Sequence, residues 1–160
     1  MPRKPRLLVE DACYHVISRG LEKKRVYRED PDYEKFIKLL KSCKEKFDLK
    51  IYTWCLMPTH PHLVTSCNML SEAMHFLNFS YAQYFNYKYK RVGYLWQGRF
   101  KSYIVEKDKY LLNLLSYVEY NPVRAKIVDT PEEYRWSSYR ARVLGYDEFG
   151  LLDPVNFFCN

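Results

Sequence analysis

The chain has 160 residues, 48% of them hydrophobic, and 26 Lys and Arg against 19 Asp and Glu, giving a net charge of +7 and a pI near 9.1. That is enough apolar material for one core and short for two, so a single domain spanning residues 1–160 is expected and a disordered chain is excluded. No apolar run reaches the roughly 18 residues of a membrane span, and the start, MPRKPRLLVEDACYHV, lacks the apolar core and cleavage site of a secretory signal, so the expected location is cytoplasmic.

CYHVIS, Cys13 to Ser18, alternates as a strand does, and Gly20 closes it. Asp30 then reads as an N-cap with Pro31 as the first helical residue, and Tyr33, Phe36, Ile37, Leu40, Cys43 and Phe47 recur at helical spacing. LKIYTWCLM, from Leu49, is rich in strand formers and stops at Pro58, and HLVTSC resumes the extended pattern from His62. The two segments predict a hairpin whose second strand starts at the histidines. Ser71 predicts the N-cap of a second helix running to about Lys90, with Met74, Leu77, Tyr81, Tyr84 and Phe85 inward.

A glycine-containing loop follows and leads into a strand from about Phe100 to Val105. Asp108 is placed to cap a third helix through Leu111, Leu115 and Tyr117 to Tyr120, and Pro122 requires that helix to end or kink at Asn121. The tail promises short helical turns at best. The order β-α-β-β-α-β-α fits an α+β fold, an antiparallel sheet with packed helices. Five cysteines, Cys13, Cys43, Cys55, Cys67 and Cys159, contain no C-x-x-C pair, so they read as reduced and mostly buried.

The positive charge favours a polyanionic partner, because Lys and Arg that neutralise phosphates release condensed counterions. Its distribution is more telling. From Ala73 to Val105 there is no Asp or Glu, while basic residues including Arg99 and Lys101 alternate with aromatic ones such as Phe79, Tyr94 and Trp96. That mixture suits single-stranded nucleic acid, whose bases stack and whose phosphates need cations; the competing reading is that most of the rings are core.

In CLMPTHPHLVTS, Cys55 to Ser66, His60 and His62 stand one residue apart. On a strand both imidazoles share one face and can close on a divalent ion, although an H-x-H pair by itself decides nothing. Tyr117 and Asn121, at i and i+4 of the third helix, are candidates for a nucleophile and a further metal ligand. Taken singly, Tyr117 reads equally as a core aromatic and Asn121 as a helix cap.

YHVISRG, WCLMPTHPHLV, YLWQGRFKSYIVE, YLLNLLSYVEYNPVRAKIV and YRWSSYR, in this order and spacing, resemble the REP-associated tyrosine transposases, relatives of the single-tyrosine HUH transposases of small insertion sequences. The resemblance runs from Pro2 to about Gly145, and Y-x-x-x-N-P-V-R-A is its most specific block. It implies a ferredoxin-like core whose sheet carries the histidine pair. It also implies Tyr117 as the nucleophile, with His60, His62 and Asn121 holding a divalent Mg or Mn ion. Attack by Tyr117 would leave a 5′-phosphotyrosine and a free 3′-hydroxyl, so that strands can be resealed.

The implied partner is single-stranded or hairpin DNA; Arg19, Arg25, Arg99, Lys101 and Arg124 are candidate contacts, each reading equally as a solvated surface charge, with Trp96 a candidate for stacking and the basic start MPRKPR a candidate arm. Insertion-sequence relatives complete their sites with a second subunit's tyrosine helix, so a homodimer and a single-chain site are both open. Two other readings stand beside this one: a catalytically silent hairpin-binding protein, and a metal-dependent nuclease that uses water. Thr59 stands where relatives commonly carry Asn, and Pro61 where an aliphatic or aromatic residue is usual. A proline without an N–H threatens to tilt His60 away from His62.

Overall fold

The computed structural model describes residues 5–106 and 109–155. Its strands are β1 (Cys13–Ile17), β2 (Lys50–Met57), β3 (His60–Ser66) and β4 (Lys101–Val105), joined by α1 (Asp30–Phe47) and α2 (Leu70–Lys88). All neighbours in the sheet are antiparallel, in the order β2-β3-β1-β4, which with the βαββαβ chain order makes a ferredoxin-like core. α3 (Lys109–Glu119), α4 (Asn121–Arg124) and α5 (Tyr139–Arg142) follow.

The register explains which side chains share a face. Ile17 lies opposite both His62 and Lys101, and His15 opposite both Val64 and Tyr103, so these residues point to one side with His60, Cys55 and Thr53. α3 packs on this side against β2 and β3. On the other side Tyr14, Val16, Leu56 and Leu63 are buried in one core with the inner stripes of α1 and α2. Leu70, Met74, Leu77, Tyr81 and Phe85 form the α2 stripe. Tyr84 is only partly buried and donates its hydroxyl to Asp32 at 2.9 Å.

Two expected caps move. Glu29 caps α1, in a reciprocal box with Asp32, because the side chains at N-cap and N3 each reach the other's backbone N–H; Asp30 is already helical. α2 starts at Leu70 with Met69 at the cap and no side-chain cap bond, so Ser71 falls inside the first turn. Asp108 and Cys159 lie outside the described residues. Cys13, Cys43, Cys55 and Cys67 are buried, and burial pushes the Cys43 thiol up to about 12.

Pro61 does not disturb the strand. β1 pairs with β3 only from His62 onward, so at Pro61 the strand has β2 on one side and no strand on the other. Such an open side accommodates a residue with no N–H.

Gly20 clamps the same end of the sheet. Its N–H donates to the Thr59 carbonyl at 2.9 Å, and a Cβ at Gly20 would meet the Lys24 carbonyl at 2.4 Å and Val26 Cγ1 at 2.9 Å. The turn ahead of His60 is therefore held by a contact only glycine allows. Gly20→Ala is expected to lower stability by about 1–3 kcal/mol in urea unfolding; an unchanged midpoint would mean that this contact yields freely.

Candidate active site

His60 and His62 stand at the start of β3 with ring centroids 4.7 Å apart and planes at 69°. Each has its Nδ1 engaged. Thr59 Oγ1 lies 2.7 Å from His60 Nδ1, and His15 Nε2 lies 3.0 Å from His62 Nδ1, with the His15 and His62 rings stacked at 5.2 Å. His62 Nε2 is buried and has no hydrogen-bond partner. Of the tautomers this contact allows, the one in which His62 Nδ1–H donates to His15 leaves Nε2 as a bare lone pair, the form that binds a metal.

The surroundings keep these rings neutral. Burial, then the charge of Arg19, lowers His60 to about 4. Burial drives His62 much further down, helped by His60, His15, Arg19 and Arg124, and burial also lowers His15. A neutral imidazole with a free Nε2 is a ready ligand for a divalent cation. Among the described residues no group of three His, Cys, Asp or Glu side chains is placed to hold a metal ion. A metal ion held here would need further ligands such as an amide, water or a substrate's oxygens.

α3 buries Leu111, Leu115, Val118 and Glu119, which leaves Tyr117 on the outer side, 54% exposed. It is not a core residue. The helix ends at Glu119 and a short one starts at Asn121 with Pro122 in its first turn, so the break falls at Tyr120, one residue before the expected position. That break brings Arg124 back over Tyr117, its guanidinium 3.8 Å from the ring centroid. Arg124 also donates to the Tyr117 carbonyl and, at 2.8 Å, to Asn121 Oδ1, while Asn121 Nδ2 donates to the Val118 carbonyl at 3.1 Å. Tyr117, Asn121 and Arg124 thus form one cluster. The charge of Arg124 is also the smallest of the causes that lower His62, after burial, His60, His15 and Arg19.

The structure does not bring all the other expected contacts to this centre. Arg19 is exposed, acts on both histidines, and accepts at its carbonyl from Gln97 N–H. Lys101 shares the histidine face on the edge strand β4. Arg25 is exposed beside Tyr33 and Tyr134, on the α1 side. Trp96 is half-buried, its indole N–H donated to the Asn78 carbonyl at 2.9 Å and its ring 6.1 Å from Tyr81. Arg99 is exposed on the loop before β4. His15 went unread as a site residue because its signal was faint: a polar residue on the face of β1 that the strand alternation shares with His62.

With the geometry in hand, comparison with known proteins assigns the chain. The sequence profile of a family described as Transposase IS200 like matches residues 8–121. The chain belongs to that IS200-like transposase family. A Haemophilus influenzae protein bearing the name REP-associated tyrosine transposase is 38% identical over 56 residues, which takes in 35% of this chain and 31% of that protein. The chain therefore matches about a third of that relative's length.

Among solved structures, a REP-associated tyrosine transposase bound to a REP hairpin matches with a TM-score of 0.74 at 16% identity, over 97% of this chain and 93% of the other. A Deinococcus radiodurans protein described as a transposase matches with a TM-score of 0.50 at 18% identity, over 74% and 96%. At these identities the likeness shows a shared fold. For this IS200-like chain, no helix among the described residues is long and apolar enough to cross a membrane.

The His15 contact carries a prediction. His15→Phe keeps a ring in place but removes the acceptor for His62 Nδ1–H, and should weaken Mn²⁺ binding about 10- to 100-fold by calorimetry. His15→Gln, which can still accept, should recover part of it. Equal affinity in all three proteins would show that His15 does not orient His62.

Proposed function

We propose that this member of the IS200-like transposase family is a cytoplasmic, metal-dependent enzyme that nicks and rejoins single-stranded DNA beside palindromic hairpins. The observation that carries the reading is the pair of neutral imidazoles, with the buried His62 Nε2 left unpartnered, on the sheet face against which the Tyr117 helix packs. An unpartnered buried lone pair is costly unless a ligand fills it. In this reading His60 and His62 hold the ion, with Asn121 Oδ1 as a third ligand. Two nitrogen donors and an amide suit Mn better than Mg, which prefers oxygen, although Mg is the commoner ion. When bound, the ion supplies charge stabilisation at a non-bridging phosphate oxygen.

The residues of the chain do the rest. Tyr117 is the nucleophile: its phenol loses a proton, its oxygen attacks phosphorus, and the departing 3′-oxygen takes up a proton. A 5′-phosphotyrosine results, and a 3′-hydroxyl can reverse the step, since the phosphodiester energy is kept. Arg124 fixes the Tyr117 ring and offers positive charge to the phosphate. Arg19, Arg25, Arg99 and Lys101 bind the DNA backbone, and Trp96 supports the bases. The solved relative bound to a REP hairpin supports the choice of partner.

α3 packs on β2 and β3 of its own chain, which supports a reading in which the site is assembled within one chain. A second reading, hairpin binding without nicking, is favoured by one observation: the Asn121 amide oxygen is already taken by Arg124.

Labelled hairpin DNA with a single-stranded flank, incubated with Mn²⁺ or Mg²⁺ and denatured, decides between them. A denaturation-resistant protein–DNA adduct, lost in Tyr117→Phe and in metal-free buffer, is expected. Binding with no adduct would leave the silent hairpin-binding protein, and cleavage with no adduct would indicate attack by water. An adduct that survives Tyr117→Phe would transfer the role to Tyr120.

A further inference from the structure

A groove of about 920 Å³ runs between the outer side of α2, the loop 93–100 and the N-terminal segment at Arg6. It is distinct from the histidine face. Its wall on α2 carries His75 and Phe79, one helical turn apart and stacked at 5.7 Å with planes at 13°. Across it stands Tyr94, 83% exposed, while Phe79 is 54% exposed. Large rings left this open do not serve the core, unlike Tyr81 and Phe85, which are buried in it.

Charge and polarity in the groove point the same way. None of its lining residues is acidic, and Arg6 and Arg99 both line it. Arg6 is held by the Phe100 ring, 3.7 Å from its guanidinium, and donates to Ser102 Oγ at 3.0 Å. Burial, and then the charge of Arg99, disfavours the charge on Arg6. Asn78 also lines it, with its Nδ2 donated to Ser18 Oγ at 2.9 Å.

The groove is also tied to the catalytic centre. Its loop wall is bound to the strip Arg19–Leu21 by Gln97 N–H to the Arg19 carbonyl and Leu21 N–H to the Leu95 carbonyl, both at 2.8 Å. The same strip holds the Thr59 carbonyl, next to His60, through Gly20. Asn86 Nδ2 fixes the far end of the loop at the Gly93 carbonyl, at 2.9 Å. The groove is therefore preformed.

We propose that this groove seats a single-stranded DNA segment adjoining the scissile phosphate, with Phe79 and Tyr94 as stacking platforms for its bases and Arg6 and Arg99 on its phosphates. A duplex, whose bases are already stacked, has no use for the two rings; the hairpin stem belongs elsewhere on the protein. The inference rests on the reading of the chain as an enzyme of single-stranded DNA, and it locates where the strand runs.

The test uses fluorescence anisotropy with the full chain and two probes, an unstructured single-stranded oligonucleotide on the order of ten nucleotides long, within the usual span of such sites, and a blunt DNA hairpin. Phe79→Ala and Tyr94→Ala remove exposed rings and leave the core intact. Each should weaken single-strand binding about 5- to 100-fold, the range for loss of one stacked base, with hairpin binding unchanged, and Tyr94→Phe should bind as the wild type does. Unchanged single-strand binding in both alanine variants, or an equal loss on both probes, would overturn the assignment. A wild-type protein that binds the hairpin but not the single strand overturns the groove while leaving hairpin recognition standing; one that binds neither removes the DNA reading itself.

Discussion

The buried carboxylate of Glu119 is the contact on which the position of the Tyr117 helix depends. It is 0% exposed, two residues beyond Tyr117, and accepts from Ser138 Oγ at 2.6 Å and from Arg142 Nε at 2.8 Å. Ser138 Oγ is in turn 2.7 Å from Thr53 Oγ1 and accepts from Trp54 N–H at 3.0 Å, so the network ends on β2. A buried charge without its partners costs several kcal/mol, which makes this contact close to all-or-none. α3 either docks on the sheet with Glu119 satisfied or does not dock. The tail that looked like irregular turns is what supplies the partners.

From that docking the electrostatics of the site follow. Glu119 neutralises Arg142, whereas Arg124, on the turn beyond Asn121, has its cation over Tyr117 and acts on His62. Arg19 approaches the same histidines from the end of β1. Two cations act on two neutral imidazoles. In the proposed function a scissile phosphate would bring negative charge to them, together with oxygen ligands for a bound ion. Metal and DNA are then expected to bind better together than apart, a coupling that follows from charge alone.

Much of this was legible in the sequence, for identifiable reasons. Strand alternation and helical spacing are local, so β1, the hairpin and α2 could be read within a residue or two, and the Pro122 break followed from backbone sterics. The caps were misread because Glu29 and Asp32 satisfy each other's backbone reciprocally, a choice that single-residue preferences do not reveal. Pro61 looked dangerous until the register showed that β1 stops one pair short of it. The histidine pair could be seen, but the acceptor that orients His62 comes from β1, 47 positions away in the chain, and only the sheet brings it near. Exposure of Tyr117 was equally hidden, since it depends on α3 turning Leu115 and Val118 inward.

The central claim is that one chain holds both halves of the site, the histidine face and the tyrosine helix pinned to it through Glu119. Mixing two inactive variants tests this most directly. One carries His62→Ala with an intact Tyr117, and the other Tyr117→Phe with intact histidines. Under conditions where the wild type forms its covalent DNA adduct, the account predicts that neither variant nor their mixture forms one, because each chain builds its own site. Recovery of adduct in the mixture would contradict it, since a tyrosine helix from one chain would then be serving the histidines of another.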